Sequence, residues 1–297
     1  MHRGYWPVWL MYALLCGISV ANWAALPSTS AQADLRVLHA SMAQQLAASA
    51  LRRPILITSQ ETDGGIRGDT YAVVDHPFAQ VVQGLNGAQR WCDVMFLHLN
   101  TKYCRASEDS AGSAMTLYVG SKAPQALSRA TRVEFRYELV QVTKDYLEIK
   151  LNAAQGPMGI SEVRVAFAAV ALSKGSTFLH FNYAYSVNAV ARLAMGAYLG
   201  TVGRGKVGFT ITGRDAQGAP IYIDGMRGLV ERNTMRYYLA IDSVLAAAST
   251  TRDAQLDARE RHWFAAVEKY PRQLHELELA PYLRMKRAEF ARQQGAL

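Results

Sequence analysis

The feature that most constrains this chain is a change of hydrophobic period. Over 133–139 the apolar residues Val133, Phe135, Tyr137 and Leu139 alternate with Glu134, Arg136 and Glu138, and over 146–151 Leu147, Ile149 and Leu151 alternate with Glu148 and Lys150. A period of two puts every second side chain on one face of an extended chain, so both stretches predict antiparallel strands with one face in the core and one in water. Lys144-Asp145 supplies their turn. Gln155-Gly156-Pro157-Met158-Gly159 supplies the next, ahead of Val163, Val165, Phe167 and Ala169 on one face and Glu162 and Arg164 on the other. Within 178–187 the bulky residues Leu179, Phe181, Tyr183 and Tyr185 take odd positions, with His180 and Asn182 between them. A last strand is expected over 207–212. From Arg227 the period becomes helical, which predicts one long helix over 229–248.

Upstream, Leu35, Leu38, Met42, Leu46 and Ala50 recur at helical spacing and predict an amphipathic helix over 34–53, ended by Pro54. Strands are expected over 55–58 and 69–74, on either side of Gly64-Gly65. Asp75 is placed to cap a helix with Pro77 in its first turn and Phe78, Val81, Val82, Leu85 and Trp91 along its apolar stripe. Small and apolar residues over 188–199 predict a short helix across one end of the sheet. After Thr250 charges alternate around a stripe of Leu256, Trp263, Val267 and Tyr270, which reads as helices laid on a surface.

With 50% hydrophobic and 19% charged residues in 297, the chain is globular, and no internal run reaches the ~20 apolar residues of a membrane span. The amino terminus is different. Arg3 is the sole charge before Asp34, an apolar run covers 8–21, and small residues end at Ala31-Gln32-Ala33. That order is the pattern of a secretory signal peptide, with cleavage expected after Ala33. The alternative is an uncleaved anchor, because 5–26 is almost long enough to span a bilayer. Both readings export the rest of the chain, into the periplasm. Leu15 before Cys16 argues against a lipoprotein site. Cys92 and Cys104 are twelve positions apart, and in an oxidising compartment they are expected to form a disulfide; two separate buried thiols are the alternative.

Most motifs fail on context. Gly203 to Gly208 matches G-x-G-x-x-G and Gly200 to Lys206 matches G-x-x-x-x-G-K, but a strand is expected next, where phosphate binding needs a helix start, and Val207 stands where a Ser or Thr is required. Serine-hydrolase and metallopeptidase signatures are missing, as is any Cys/His set with metal-ligand spacing. His180 with Asn182 could contact a ligand or act as a base, and equally could be structural. Arg227 with Glu231 and Arg232 with Arg236 are i, i+4 pairs that read as a solvated helix face. The net charge of +8 is dispersed along the chain, which points away from nucleic acid; an anionic membrane surface is the more natural partner.

Two segments carry a family resemblance. Pro77-Phe78-Ala79-Gln80-Val81-Val82-Gln83-Gly84-Leu85 through Trp91, and Gly228-Leu229-Val230-Glu231-Arg232-Asn233-Thr234-Met235-Arg236-Tyr237-Tyr238-Leu239, together with the order strand, helical pair, antiparallel strands and long helix, resemble the START-related (SRPBCC) helix-grip superfamily over 54–248. The helix at 188–199 and the tail depart from that pattern. The resemblance implies an α+β fold with a curved antiparallel sheet wrapped around the last long helix. It divides the chain into a signal peptide (1–33), an amino-terminal helix (34–53), the helix-grip domain (54–249) and a helical extension (250–297). It further implies a binding or carrier protein without a cofactor, holding a hydrophobic small molecule or lipid between sheet and helix. The residues expected to line that space are Phe135, Tyr137, Phe167, His180, Phe181, Tyr183, Tyr185 and Phe209, with Asn233, Arg236 and Tyr237 from the helix. The same aromatics could simply fill a core. A cyclase- or hydrolase-type enzyme would need His180, Asn182 or Glu231 to converge in the cavity, and an envelope interaction protein would use the charged tail.

Overall fold

The computed structural model describes residues 29–62, 64–173, 175–201, 203–251 and 254–295. The expected signal peptide therefore lies outside the described residues up to position 28. The elements in chain order are α1 (Thr29–Ala47), β1 (Ile55–Thr62), β2 (Gly65–Val74), α2 (Phe78–Leu85), α3 (Ala88–Phe96), β3 (Thr101–Asp109), β4 (Gly112–Val119), β5 (Thr131–Val142), β6 (Tyr146–Gln155), β7 (Ile160–Ala171), β8 (Thr177–Val187), α4 (Ala189–Gly200), β9 (Ile211–Arg214), β10 (Pro220–Tyr222), α5 (Gly225–Ala246), α6 (Gln255–Val267), α7 (Pro271–Leu274) and α8 (Leu279–Gly295). Among them no helix is long and apolar enough to cross a membrane.

Eight strands form one antiparallel sheet in the order β1-β2-β8-β7-β6-β5-β4-β3, so the first hairpin closes against the last long strand. The helical pair α2–α3 bridges β2 to β3 at the opposite edge. The long helix α5 packs on β1, β2 and β8 inside the curve of the sheet. This is a helix-grip arrangement, a curved antiparallel sheet closed over one long helix. Its α+β class follows from the segregation of hairpin-connected strands from helices, which a curved sheet needs to cover its concave face.

The two sheet faces have separate cores. Leu147, Ile149, Leu151, Val165, Phe167, Phe181 and Tyr185 point inward with Trp91, Met235 and Leu239, while Tyr146, Val170 and Phe178 point outward against Leu35 and Leu46 of α1. Cross-strand register aligns the inner residues: Ile149 faces Phe167, which faces Phe181, and Val165 faces Tyr183. Contact between α5 and β2 is close enough that a Cβ on Gly68 would collide with the Thr234 hydroxyl, which makes a glycine necessary there. Cys92 on α3 and Cys104 on β3 are joined, with Cα atoms 5.3 Å apart, locking the helical pair to the sheet edge.

Four local expectations are corrected. The first helix ends at Ala47 instead of running to Arg53, and Arg52 has φ of 57°, incompatible with a helix continuing to Pro54. Asp75 does not cap α2: Pro77 holds the cap position with no side-chain cap, and the Asp75-His76 bend is held by Thr177 donating to the His76 carbonyl at 2.8 Å. The strand expected over 207–212 is confined to β9, which pairs with β10 apart from the main sheet. Its first residues instead turn their N–H groups to a buried carboxylate. Three of the i, i+4 groups expected on a solvated face are buried, with Glu231 at 0% and Arg232 and Arg236 at 2% exposure, while Arg227 is half-buried; β1 and the segment before β9 cover Glu231, and α4, α6 and α7 pack on other parts of α5.

Candidate ligand-binding site

The inner end of β8 and the middle of α5 meet in a cluster of tyrosines. Tyr183 and Tyr185 sit on one face of β8, two residues apart, with ring centroids separated by 5.4 Å. Tyr237 from α5 lies edge-on to Tyr183 at 5.5 Å and against Phe181 at 6.1 Å. Asn233 stands four residues before Tyr237, on the same helix face. Tyr183, Asn233 and Tyr237 are only partly buried although they sit between sheet and helix. Among the described residues none of the hydroxyls of Tyr183, Tyr185 and Tyr237 has a hydrogen-bond partner. Burial, reinforced by Tyr237 and Tyr185, holds the Tyr183 phenol well above its ordinary value, and burial pushes Tyr237 up to about 12. Both are neutral hydroxyls at physiological pH.

His98, which follows α3, completes this cluster, and the sequence reading missed it. Its ring stacks on Tyr237 at 5.0 Å, and Nδ1 accepts from the Asn100 N–H at 3.2 Å. Accepting at Nδ1 leaves the proton on Nε2, which is directed at the Asn233 side chain. Burial, aided by Arg236, Lys122 and Lys286, keeps the imidazole neutral by holding it well below its usual range. Nothing near position 98 in the sequence marks it, because its importance comes from the approach of α5.

The expected lining residues divide into three groups. Phe181, Tyr183, Tyr185, Asn233, Arg236 and Tyr237 are brought together. Phe135, Phe167 and Tyr137 face inward but are occupied: Phe167 is 0% exposed and packs edge-on against Trp91 at 5.8 Å, Phe135 is buried, and the Tyr137 hydroxyl accepts from the Gly87 N–H at 2.9 Å. His180 and Phe209 are elsewhere. Period two sends His180 to the outer face, where Nε2 meets the Asp69 carboxylate at 2.8 Å and the ring stacks on Tyr71 at 4.5 Å. Asn182 donates to the same Asp69 oxygen at 2.9 Å. Burial works to raise the Asp69 carboxyl, but the bonds from His180 and Asn182 outweigh it and hold it below its ordinary value. A recess of about 330 Å³ opens beside His180, between α1 and the outer face, with Asp34, Leu35, Leu38, Tyr146 and Glu148 around it. Phe209 precedes β9 and packs against Tyr270 at 5.5 Å.

Glu231 has no free valence for catalysis. Its oxygens accept from Ser59 Oγ at 2.6 Å, the Phe209 N–H at 2.7 Å, the Thr210 N–H at 2.9 Å and Thr210 Oγ1 at 2.7 Å. It fastens β1 and the segment before β9 to α5. The short helix α4, capped by Asn188 accepting from the Ala191 N–H at 2.8 Å, lies over the tyrosine end and turns Val190 and Leu193 into solvent, at 75% and 77% exposure.

No family model matches this chain, and no curated protein does. Solved structures similar to it include a conserved protein of unknown function from Enterococcus faecalis, at 7% identity over 77% of this chain and 97% of that one, with a TM-score of 0.33. A START superfamily protein from Mycobacterium smegmatis is 14% identical over 50% of this chain and 91% of its own, at 0.31. Norcoclaurine synthase from Thalictrum flavum is 11% identical over 50% and 82%, at 0.32. Likeness at this level carries no argument about what the chain binds.

Proposed function

We propose that this chain is an exported binding or carrier protein that holds a hydrophobic small molecule or lipid between β8 and α5. The observation that carries the reading is the pair Tyr183 and Tyr237: two partly exposed rings between sheet and helix, 5.5 Å apart, whose hydroxyls have no partner among the described residues. These hydroxyls are not among the fully enclosed unpaired polar atoms, so a ligand entering between sheet and helix can reach them and supply the partner a tyrosine hydroxyl favours. An apolar wall with a few convergent polar groups is the usual composition of a small-molecule site. Full packing of Phe167 and Phe181 favours a ligand position toward the Tyr183 end over one along the whole sheet. The enzyme alternative has less support, since Glu231 is fully engaged and His180 and Asn182 lie on the other face.

Titration of the purified protein with an apolar fluorescent probe tests this. Saturable binding that Tyr183→Ala weakens, with little loss of thermal stability, is the expected result. No binding by the parent, together with strong destabilisation in the variant, would mean that these rings only fill a core. Export is part of the same proposal, and amino-terminal sequencing of the periplasmic protein should begin at Asp34; an intact Met1 on membrane-bound material would favour the anchor. Delivery of a lipid needs contact with a membrane surface, for which the exposed Val190 and Leu193 of α4 are suited.

A further inference from the structure

One carboxylate faces four cations at the end of the interior covered by α4. Arg232 and Arg236 are one turn apart on α5 and emerge on the same side. Arg236 pairs with Glu276 at 2.8 Å and donates to the Leu274 carbonyl at 3.3 Å. Lys122 reaches the same carboxylate at 2.6 Å, and Lys206 lies 3.9 Å from it while donating to the His275 carbonyl at 2.5 Å. Lys206 belongs to the glycine-rich turn that resembled a phosphate loop, and it enters this cluster from the far side of the fold. Burial and the surrounding cations depress both Lys206 and Arg232, the latter to about 10, which leaves Arg232 charged at neutral pH.

Arg232 is the anomaly in this group. It is 2% exposed and makes no hydrogen bond or ion pair among the described residues, with Nη1 wholly enclosed. Its neighbour Glu231 cannot serve it, because Ser59, Phe209 and Thr210 take up that carboxylate. An unpaired buried guanidinium is costly, and proteins keep one where something else completes it. An adjoining polar group points the same way: Arg236 Nε is a further enclosed donor without an acceptor among the described residues. Arg236 directly precedes Tyr237 on α5, which sets this group next to the tyrosine cluster, and Tyr198 of α4 closes over it with its hydroxyl 3.2 Å from Lys122 Nζ. Donors outnumber acceptors here, and the net charge is positive.

We propose that this end of the interior seats the oxyanion head group of an apolar ligand, a carboxylate or phosphate held by Arg232, with Arg236, Lys122 and Lys206 supplying the positive field. The planar fork of a guanidinium binds either oxyanion through two parallel hydrogen bonds. This deepens the carrier reading and rests on it: the tyrosines and Phe181 take the apolar body, and Arg232 selects for acid over neutral amphiphiles.

The experiment compares oleate, oleoyl lysophosphatidate and oleyl alcohol as competitors for an apolar fluorescent probe bound to the purified protein, in the parent and in Arg232→Met. The parent should prefer at least one of the two acids over the alcohol by about tenfold or more, and Arg232→Met should abolish most of that preference. Preference for oleate identifies a carboxylate ligand, and preference for the lysophosphatidate a phosphate one. Arg232→Met should melt no lower than the parent, since it removes a buried charge that no hydrogen bond satisfies, whereas a purely structural arginine would cost stability when replaced. Equal displacement by all three competitors overturns the oxyanion seat while leaving the carrier reading intact; probe binding that none of them competes for, or no probe binding, overturns the carrier reading itself. The parent's own selectivity decides the matter even if the variant does not fold.

Discussion

The indole Nε1 of Trp263 donates to the backbone carbonyl of Arg236 at 3.1 Å, fastening α6 to the middle of α5. Trp263 is 1% exposed and stacks on Tyr282 of α8 at 5.2 Å. The Tyr282 hydroxyl in turn donates to the Leu97 carbonyl at 3.1 Å, just past α3. The charged tail is thereby continuous with the core of the sheet and α5, and the electrostatics of α5 depend on it. Trp263→Ala should lower the free energy of unfolding by about 3–5 kcal/mol in urea titrations. Trp263→Phe, which keeps most of the packing and loses the donor, should lose less. A loss under about 1 kcal/mol for the alanine variant would mean that the tail contributes little to the core.

Glu231 offers a sharper test of the same burial. Glu231→Ala strands the Phe209 and Thr210 N–H groups and the Ser59 hydroxyl without an acceptor, and should cost about 3–5 kcal/mol. Glu231→Gln can still accept at one oxygen and should cost less. Equal behaviour of the two variants in denaturant titrations would contradict the four-bond arrangement.

A pH effect is expected from Glu260. It is 0% exposed on α6, neither oxygen has a hydrogen bond among the described residues, and burial raises its carboxyl from 4.5 to about 7, against the opposing pull of Lys286 and Arg287. The folded state binds this proton more tightly than the unfolded one, so its contribution to stability is present below 4.5 and lost as pH rises through about 7. Lys286, pushed down to about 8 by burial, acts in the opposite sense and relieves its own penalty only above that value. The melting temperature of Glu260→Gln relative to the parent should therefore increase as pH climbs from 4.5 to about 7. A difference that stays constant across this window would refute the assignment.

The disulfide closes a short loop, with a sequence separation of 12, and reducing it should cost about 3 kcal/mol in the chain-entropy account. Peptide mapping without reductant should recover Cys92 linked to Cys104. Complete alkylation of both thiols in unreduced protein would show the bond to be missing.

Much of the inner face was legible before any coordinates, for a local reason. Alternation is a property of neighbouring residues, so the residues of β8 sort onto two faces from the sequence alone, with Phe181 and Tyr183 inward. The same rule sends His180 to the outer face, against Asp69 and Tyr71, although its chemistry would suit a cavity. The approximate extents of β5 to β8, α4 and α5 follow from the same kind of local pattern. So does the pairing of Cys92 with Cys104, because few residues separate them. What remained hidden depends on chain segments far apart in sequence. Arg232, Arg236 and Glu231 have the spacing of a solvated helix face, and only the packing of β1, α4, the segment before β9 and the returning α6 and α7 on α5 removes the water from them. His98 acquires its role from Tyr237, and Lys206 and Lys122 acquire theirs from Glu276, across separations that leave no periodic trace. Period and propensity determine which way a side chain leaves its own strand or helix. What it meets there, and whether a charge on it is solvated, paired or left buried alone, is decided only when the tertiary structure assembles the other walls.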